Sequence, residues 1–341
     1  MKFGPVSVEN AETKVLGHNV FGPDGRRLFQ KGRPLTEDDT RILASLGRSM
    51  VYVAEIEPGD VGEDQAALWI AEAVSGAGIR LSKSSTGRVN LIAIDPGVVR
   101  VDAARLEHLN SFEGITLATL ETNQFVRRKQ MVGTVKIIPF AVPESVVEQA
   151  LSIMSGQEPL VKVDLMSAKR VGLILTGSNS SRDRLRKSFE EPLRVRITGY
   201  GSQVDMVEFR ALDEEHDERI LSDLLLRYVS NGMDLIILAG DTAIMDRWDI
   251  APRAVEKAGG SIEGVGVPVD PGNLLMLGYL GNVPVLGAPG CARSLKTNAI
   301  DWLLPRLLVG ERISRADLAK LGHGGLLADT SKRPMPRSRQ R

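Results

Sequence analysis

Three carboxylates crowd one glycine-bearing turn in the stretch DLIILAGDTAIMDRWD: Asp241, Asp246 and Asp249. The apolar run Leu235, Ile236, Ile237, Leu238 stops at Ala239-Gly240-Asp241-Thr242, and a helix-like stretch begins at Ile250-Ala251-Pro252. A short apolar run closed by Gly reads as a buried strand of a parallel sheet. Such sheets bind their ligands at the carboxyl ends of the strands, where the loop meets the next helix. Gly240 lets backbone N–H groups approach an anion, and Asp246 or Asp249 can cap the helix or hold a metal. A turn with acidic capping residues explains the same stretch, so both readings stay open here.

Two further loops carry related chemistry. Val171 to Leu175 is an apolar run that ends in Thr176-Gly177-Ser178-Asn179-Ser180, a small hydroxyl-rich loop opening a helix through Arg186-Lys187. Backbone and hydroxyl donors at a helix N-terminus suit a phosphate. Neither a dinucleotide fingerprint nor a P-loop is present. VPVLGAPG ends in Pro289-Gly290-Cys291-Ala292-Arg293-Ser294, before a helix expected over Leu295 to Val309. Arg293 and Ser294 at that helix start make an anion cradle, with Arg supplying fork-shaped donors. Asp270-Pro271-Gly272-Asn273 reads as a turn between strands.

The elements that must position these loops follow from periodicity. From Ala168 onward strand–loop–helix units recur, which predicts a three-layer α/β domain over 167–312, with the loops at Thr176, Gly240 and Gly290 converging on one sheet edge. Ahead of it, 1–79 reads as an α/β segment. It holds a helix capped by Thr36 and stopped at Gly47, a strand at Val51-Tyr52-Val53, and a second helix with Ala66, Ala67, Ile70, Ala71 and Val74 on one face. Residues 80–166 shift toward period two and read as a β-rich subdomain, closed by a helix in VPESVVEQALSIM. Arg127-Arg128-Lys129 reads as a solvated hairpin tip. The stretch 324–341, including SKRPMPRSRQR with five basic residues and no acid, reads as a flexible tail.

Composition narrows the function classes. The 341 residues allow two or three domains, and Lys+Arg equals Asp+Glu at 43 each, so no global charge points to nucleic acid. One Cys excludes a disulfide framework or a Cys-rich zinc site. His18, His108, His216 and His323 show no metal-binding spacing. The N-terminus lacks a signal-peptide core, and no apolar window is long enough for a membrane span. A soluble, cytoplasmic protein is the expectation.

LTGS at Thr176, LAGDTAIMDRWDIAP at Gly240, DPGN at Pro271 and GAPGCARS at Pro289 together resemble the molybdenum-cofactor biosynthesis domain. That domain is shared by molybdopterin adenylyltransferases and molybdopterin molybdenumtransferases. The family's strand ending in Thr-Gly-Gly, followed by Asp-x-x-Pro, is matched by Ala239-Gly240-Asp241-Thr242 and Asp249-Ile250-Ala251-Pro252. LGHNVFGPDGRRLFQKGRPLTEDDTRILASLG and GDVGEDQAALWIAEAV are similar to the region preceding it in the molybdenumtransferase. The resemblance therefore spans most of 10–312. It implies a pterin ligand, molybdopterin or its adenylylated form, with Mg²⁺ taking part in molybdate insertion.

By the resemblance, Thr176, Gly177, Ser178, Asn179, Gly240, Asp241, Thr242, Pro271, Gly272, Asn273, Pro289, Gly290, Cys291, Arg293 and Ser294 are the cofactor-binding set. Asp249 is the acidic residue of functional weight, Asp246 competes with it, and Asp241 and Asp249 are the candidate metal ligands. The chain departs from the family at three points. Gly177-Ser178-Asn179 carries no carboxylate, Asp241 stands at the second Gly, and Cys291 replaces an Asn. Cys291 is also explained as a small packed thiol. Only the basic tail follows the last helix, so the transferase's C-terminal β domain is not expected.

The leading expectation is a molybdopterin-binding protein of the molybdenumtransferase type. A non-catalytic cofactor carrier, chaperone or sensor serving a molybdoenzyme is the first rival, and a nucleotide pyrophosphate hydrolase of the competence-damage type the second. A scaffold in which Asp246 and Asp249 only cap a helix is a third. The family implies a homo-oligomer and partners among the cofactor-biosynthesis proteins.

Overall fold

The computed structural model describes residues 1–212 and 217–327. His216 and residues 328–341 of the stretch 324–341 expected as a tail lie outside them. Within 324–327 the Leu327 N–H donates to the Asp270 carbonyl at 2.9 Å, and the Gly325 carbonyl accepts from the Asp270 N–H at 2.8 Å. The chain divides into two compact units, Met1–Asp164 and Leu165–Arg341.

In the first unit, Lys2–Ser7, Met50–Glu55 and Val15–Leu16 form an antiparallel sheet with Met50–Glu55 in the middle. The helix Glu37–Ser45 begins with a capping box. Thr36 accepts from the Asp39 N–H while the Asp39 carboxylate accepts from the Thr36 N–H. Ala66, Ala67, Ile70, Ala71 and Val74, the predicted face of the helix Glu63–Val74, are all buried. They share a core with Val89, Leu91, Leu117 and Val135 from a four-stranded antiparallel sheet. The alanines bring this helix close to the strands, while Ile70 and Val74 fill the space between. The Arg127–Lys129 run is a turn in which the Arg127 N–H donates to the Gln130 side chain at 2.9 Å.

The second unit is built on one six-stranded sheet. Its strands are β1 (Arg170–Gly177), β2 (Gln203–Ala211), β3 (Leu235–Gly240), β4 (Ser261–Val265), β5 (Met276–Leu280) and β6 (Val283–Gly287), in the spatial order β2-β1-β3-β6-β5-β4. β2, β1, β3 and β6 run parallel, and β5 pairs antiparallel to both β6 and β4. The helices are α1 (Arg182–Leu185), α2 (Glu191–Gly199), α3 (Asp217–Ser230), α4 (Ile250–Lys257), α5 (Ala299–Leu308) and α6 (Arg315–Lys320).

Alternate strand residues enter different cores. Leu173, Leu175, Leu235, Ile237 and Leu286 pack with Leu193 and Ile197 of α2 and Leu303 and Leu304 of α5. Ile174, Ile236, Leu238 and Val285 pack with Leu224 and Leu225 of α3 and Val255 of α4. Burial on both sides is why these strands read as unbroken apolar runs rather than alternating ones. Each fully buried Leu or Ile contributes about 1.5–3 kcal/mol, so the central strands hold the unit together.

The helix expected to start at Leu295 starts at Ala299. Asn298 is its cap, accepting from the Ile300 N–H at 3.0 Å, and the Asn298 N–H donates to Asp301 Oδ2 at 2.9 Å. The residues before it are held out of the helix by Arg196, only 6% exposed. Its guanidinium donates to the carbonyls of Ala292, Ser294 and Lys296 and to Asp301.

Candidate functional site

Strand register brings three of the predicted loops to one edge of the sheet. Thr176 at the end of β1 pairs with Gly240 at the end of β3, and Leu238 of β3 pairs with Gly287 of β6. β5 enters from the opposite direction, its Met276 beside Gly287, so the Pro271–Asn273 turn also lies on this side.

The first two loops interlock. A Cβ on Gly240 would lie 2.6 Å from Thr176 Oγ1 and 2.9 Å from the Thr176 carbonyl oxygen. The Asp241 N–H donates to that carbonyl at 3.1 Å. Gly177 is equally confined, because a Cβ there would lie 2.6 Å from Asp241 Oδ2 and 2.7 Å from Ser181 Oγ. Asp241 therefore folds over Gly177, and its Oδ1 accepts from Arg184 Nη2 at 2.6 Å.

Downstream of Gly177 the chain does not enter a single helix. Ser178 Oγ lies 2.9 Å from Ser180 Oγ, and Ser181 Oγ donates to the Ser178 carbonyl at 2.8 Å. A 3₁₀ turn starting at Asn179 leads into α1, and a π turn over Arg186–Glu190 leads on to α2.

Between β3 and α4 the carboxylates organise backbone. Asp249 Oδ2 accepts from the N–H groups of Met245 at 2.6 Å and Asp246 at 3.0 Å, and Asp246 Oδ1 accepts from the Trp248 N–H at 2.8 Å. Asp249 stands at the N-cap of α4, without a cap hydrogen bond from its own side chain.

After β6, the Ala288 N–H donates to the Leu238 carbonyl at 2.7 Å, and Pro289 leads into a 3₁₀ turn over Gly290–Arg293. Arg293 lies over the Phe189 ring, 4.6 Å from its centroid, with Nη2 3.4 Å from the Gly240 carbonyl. Its Nε is buried and has no partner among the described residues. Cys291 is half-buried, and burial pushes its thiol above the ordinary range. The Ser294 carbonyl is held by Arg196. Around the turn before β5, the Pro271 carbonyl accepts from the Ala299 N–H at 3.1 Å and that of Asn273 from the Val267 N–H at 2.9 Å, while Gly272 packs on Ala299.

A cavity of about 220 Å³ opens at this edge. Of the predicted residues, Thr176, Gly240, Thr242 and Asp249 line it, with Ile244, Ile250 and Ala288 among the apolar walls. Asp241 and the stretches 177–179, 271–273 and 289–294 border the edge without lining the cavity. Among the described residues no three His, Cys, Asp or Glu gather as a metal site.

Sequence reasoning missed two arginines. Arg184, the partner of Asp241, had a faint signal in the basic run RDRLRK. Arg196 had none, because its partners lie about a hundred positions away.

The model of a family described as Domain of unknown function (DUF8806) matches residues 5–55, a small part of the chain. No curated protein matches this chain. Among solved structures, the molybdopterin biosynthesis moea protein from Pyrococcus horikoshii is 13% identical, covering 94% of this chain and 77% of that one, with a TM-score of 0.30. The molybdopterin biosynthesis enzyme MoaB from Thermus thermophilus is 20% identical over 42% of this chain and 98% of that one, also at 0.30. A molybdenum cofactor biosynthesis protein from Pyrococcus furiosus is 12% identical over 94% and 65%, at 0.25. Among the described residues, no helix is long and apolar enough to cross a membrane.

Proposed function

We propose that the second unit binds molybdopterin, or its adenylylated form, and takes part in molybdenum cofactor biosynthesis, with molybdate insertion as the reaction. The observation that carries this reading is the meeting of the Thr176, Gly240 and Ala288 loops at strand carboxyl ends around one cavity. The mostly apolar walls suit a planar ring, and the hydroxyls of Thr176 and Thr242 offer it hydrogen bonds. Arg293 supplies positive charge beside the Gly240 carbonyl, where a terminal phosphate would be held.

Mg²⁺ bound with phosphates needs only one or two protein carboxylates. Asp249 fits that role in part, since Oδ2 is committed to backbone N–H groups while Oδ1 has no hydrogen-bond partner among the described residues. Bound there, the ion would offset phosphate charge.

A second reading is a non-catalytic carrier of the cofactor. It is favoured by the engagement of Asp241 with Arg184 and of Asp249 with the 245–246 backbone, which leaves little carboxylate for a metal.

Calorimetric titration with molybdopterin and its adenylylated form, with and without Mg²⁺, tests both. Tighter binding of the adenylylated form with Mg²⁺, followed by molybdate-dependent AMP release, supports insertion. Binding of the pterin without a metal effect supports the carrier. Binding of neither form removes the proposal.

A further inference from the structure

We infer that Trp248, with Met245 beside it, is the ring-stacking platform of this site, clamping the planar heterocycle of the ligand at the cavity mouth. The inference rests on the pterin reading above and assigns a specificity role to two residues between the Gly240 turn and the Asp249–Pro252 match.

Trp248 is 78% exposed and Met245 67% exposed, the two most exposed of the large apolar side chains among the described residues. The backbone that presents them is locked. Asp249 Oδ2 fixes the Met245 and Asp246 N–H groups, Asp246 Oδ1 fixes the Trp248 N–H, and the Asp249 N–H donates to the Asp246 carbonyl at 3.2 Å. Arg247, between them, is drawn back onto α4 by Glu256, with Nη2 to Oε1 at 2.6 Å. Large apolar side chains held in water on a rigid loop mark a binding surface.

The loop is anchored at the cavity on both sides. Ile244 and Asp249 line the wall, and Met245 and Trp248, both exposed, lie between those two wall residues along the chain. Ligand pockets usually enclose about 300–1,000 Å³. At about 220 Å³ this cavity covers only part of a ligand of that size. The part left over the rim meets an indole face on one side, and a thioether adapts to the ring's edge.

The test titrates the full chain, as wild type, Trp248→Ala and Trp248→Phe, with molybdopterin and separately with inorganic phosphate. Loss of base–aromatic stacking weakens binding about tenfold. The expected result is that loss in Trp248→Ala, recovery of most of it in Trp248→Phe, and the same phosphate affinity in all three. Wild-type molybdopterin affinity in Trp248→Ala overturns the platform and leaves the pterin reading standing. Failure of the wild type itself to bind molybdopterin overturns both. An equal loss in Trp248→Phe and Trp248→Ala assigns the residue to the loop's structure and also overturns the platform.

Discussion

Gly240 is pressed against Thr176 so closely that a Cβ would lie 2.6 Å from the threonine hydroxyl and 2.9 Å from its carbonyl. The strand ends of β1 and β3 can meet only because position 240 has no side chain. Gly240→Ala should therefore part the two loops. Overpacking of this kind costs about 1–3 kcal/mol. Urea denaturation should show that loss together with weaker pterin binding. Wild-type stability would mean that the two loops have room to spare.

Arg196 ties the loop after β6 to α2 and α5, with 2.8 Å to Asp301 Oδ1 and 2.6 Å to the Ser294 carbonyl. Arg196→Met leaves a carboxylate and several carbonyls without their partner. Removing one side of a buried pair costs about 3–5 kcal/mol. A denaturation midpoint close to wild type would contradict the structural weight placed on this side chain.

Arg184 is 63% exposed, so its pairing with Asp241 adds little to stability, within about 1 kcal/mol. Its effect should fall on metal binding instead. Arg184→Ala frees the Asp241 carboxylate, and calorimetric titration with MgCl₂ in the presence of ligand should show tighter Mg²⁺ binding than in wild type. Unchanged Mg²⁺ affinity would show that Asp241 does not face the metal position.

Asp317, at the start of α6, has its carboxyl pushed down to about 2, chiefly by the hydrogen bond from the Ser314 hydroxyl. A carboxyl lowered on folding stabilises above its ordinary value near 3.8, and that contribution is lost as pH falls through about 2. Asp317→Asn should therefore be less stable than wild type at pH 7, and the gap should narrow from about pH 4 downward. Denaturation midpoints at pH 7, 5, 4 and 3 check this. A gap that stays constant would assign the effect to packing rather than to charge.

The legible part of the molecule was the part encoded locally. Leu235 to Leu238 reads as a buried strand because the run is apolar throughout, and Thr36 reads as a helix cap because residues at helical spacing follow it directly. The loops at Thr176, Gly240 and Pro289 were readable as strand ends. Their hydrogen bonds were not, because Arg184 meets Asp241 across 57 positions and Arg196 meets Asp301 across 105. The late start of α5 has the same origin, since carbonyls that would join the helix are held by Arg196. A carboxylate such as Asp249 looks the same in sequence whether it caps a helix, holds a metal or staples a loop.

Amide hydrogen exchange read by mass spectrometry, with and without molybdopterin, tests the location of the site most directly. The account predicts slower exchange in the segments around 176–182, 240–250 and 288–294, with little change elsewhere in the chain. Protection confined to other segments, or none under conditions where molybdopterin is bound, would contradict it.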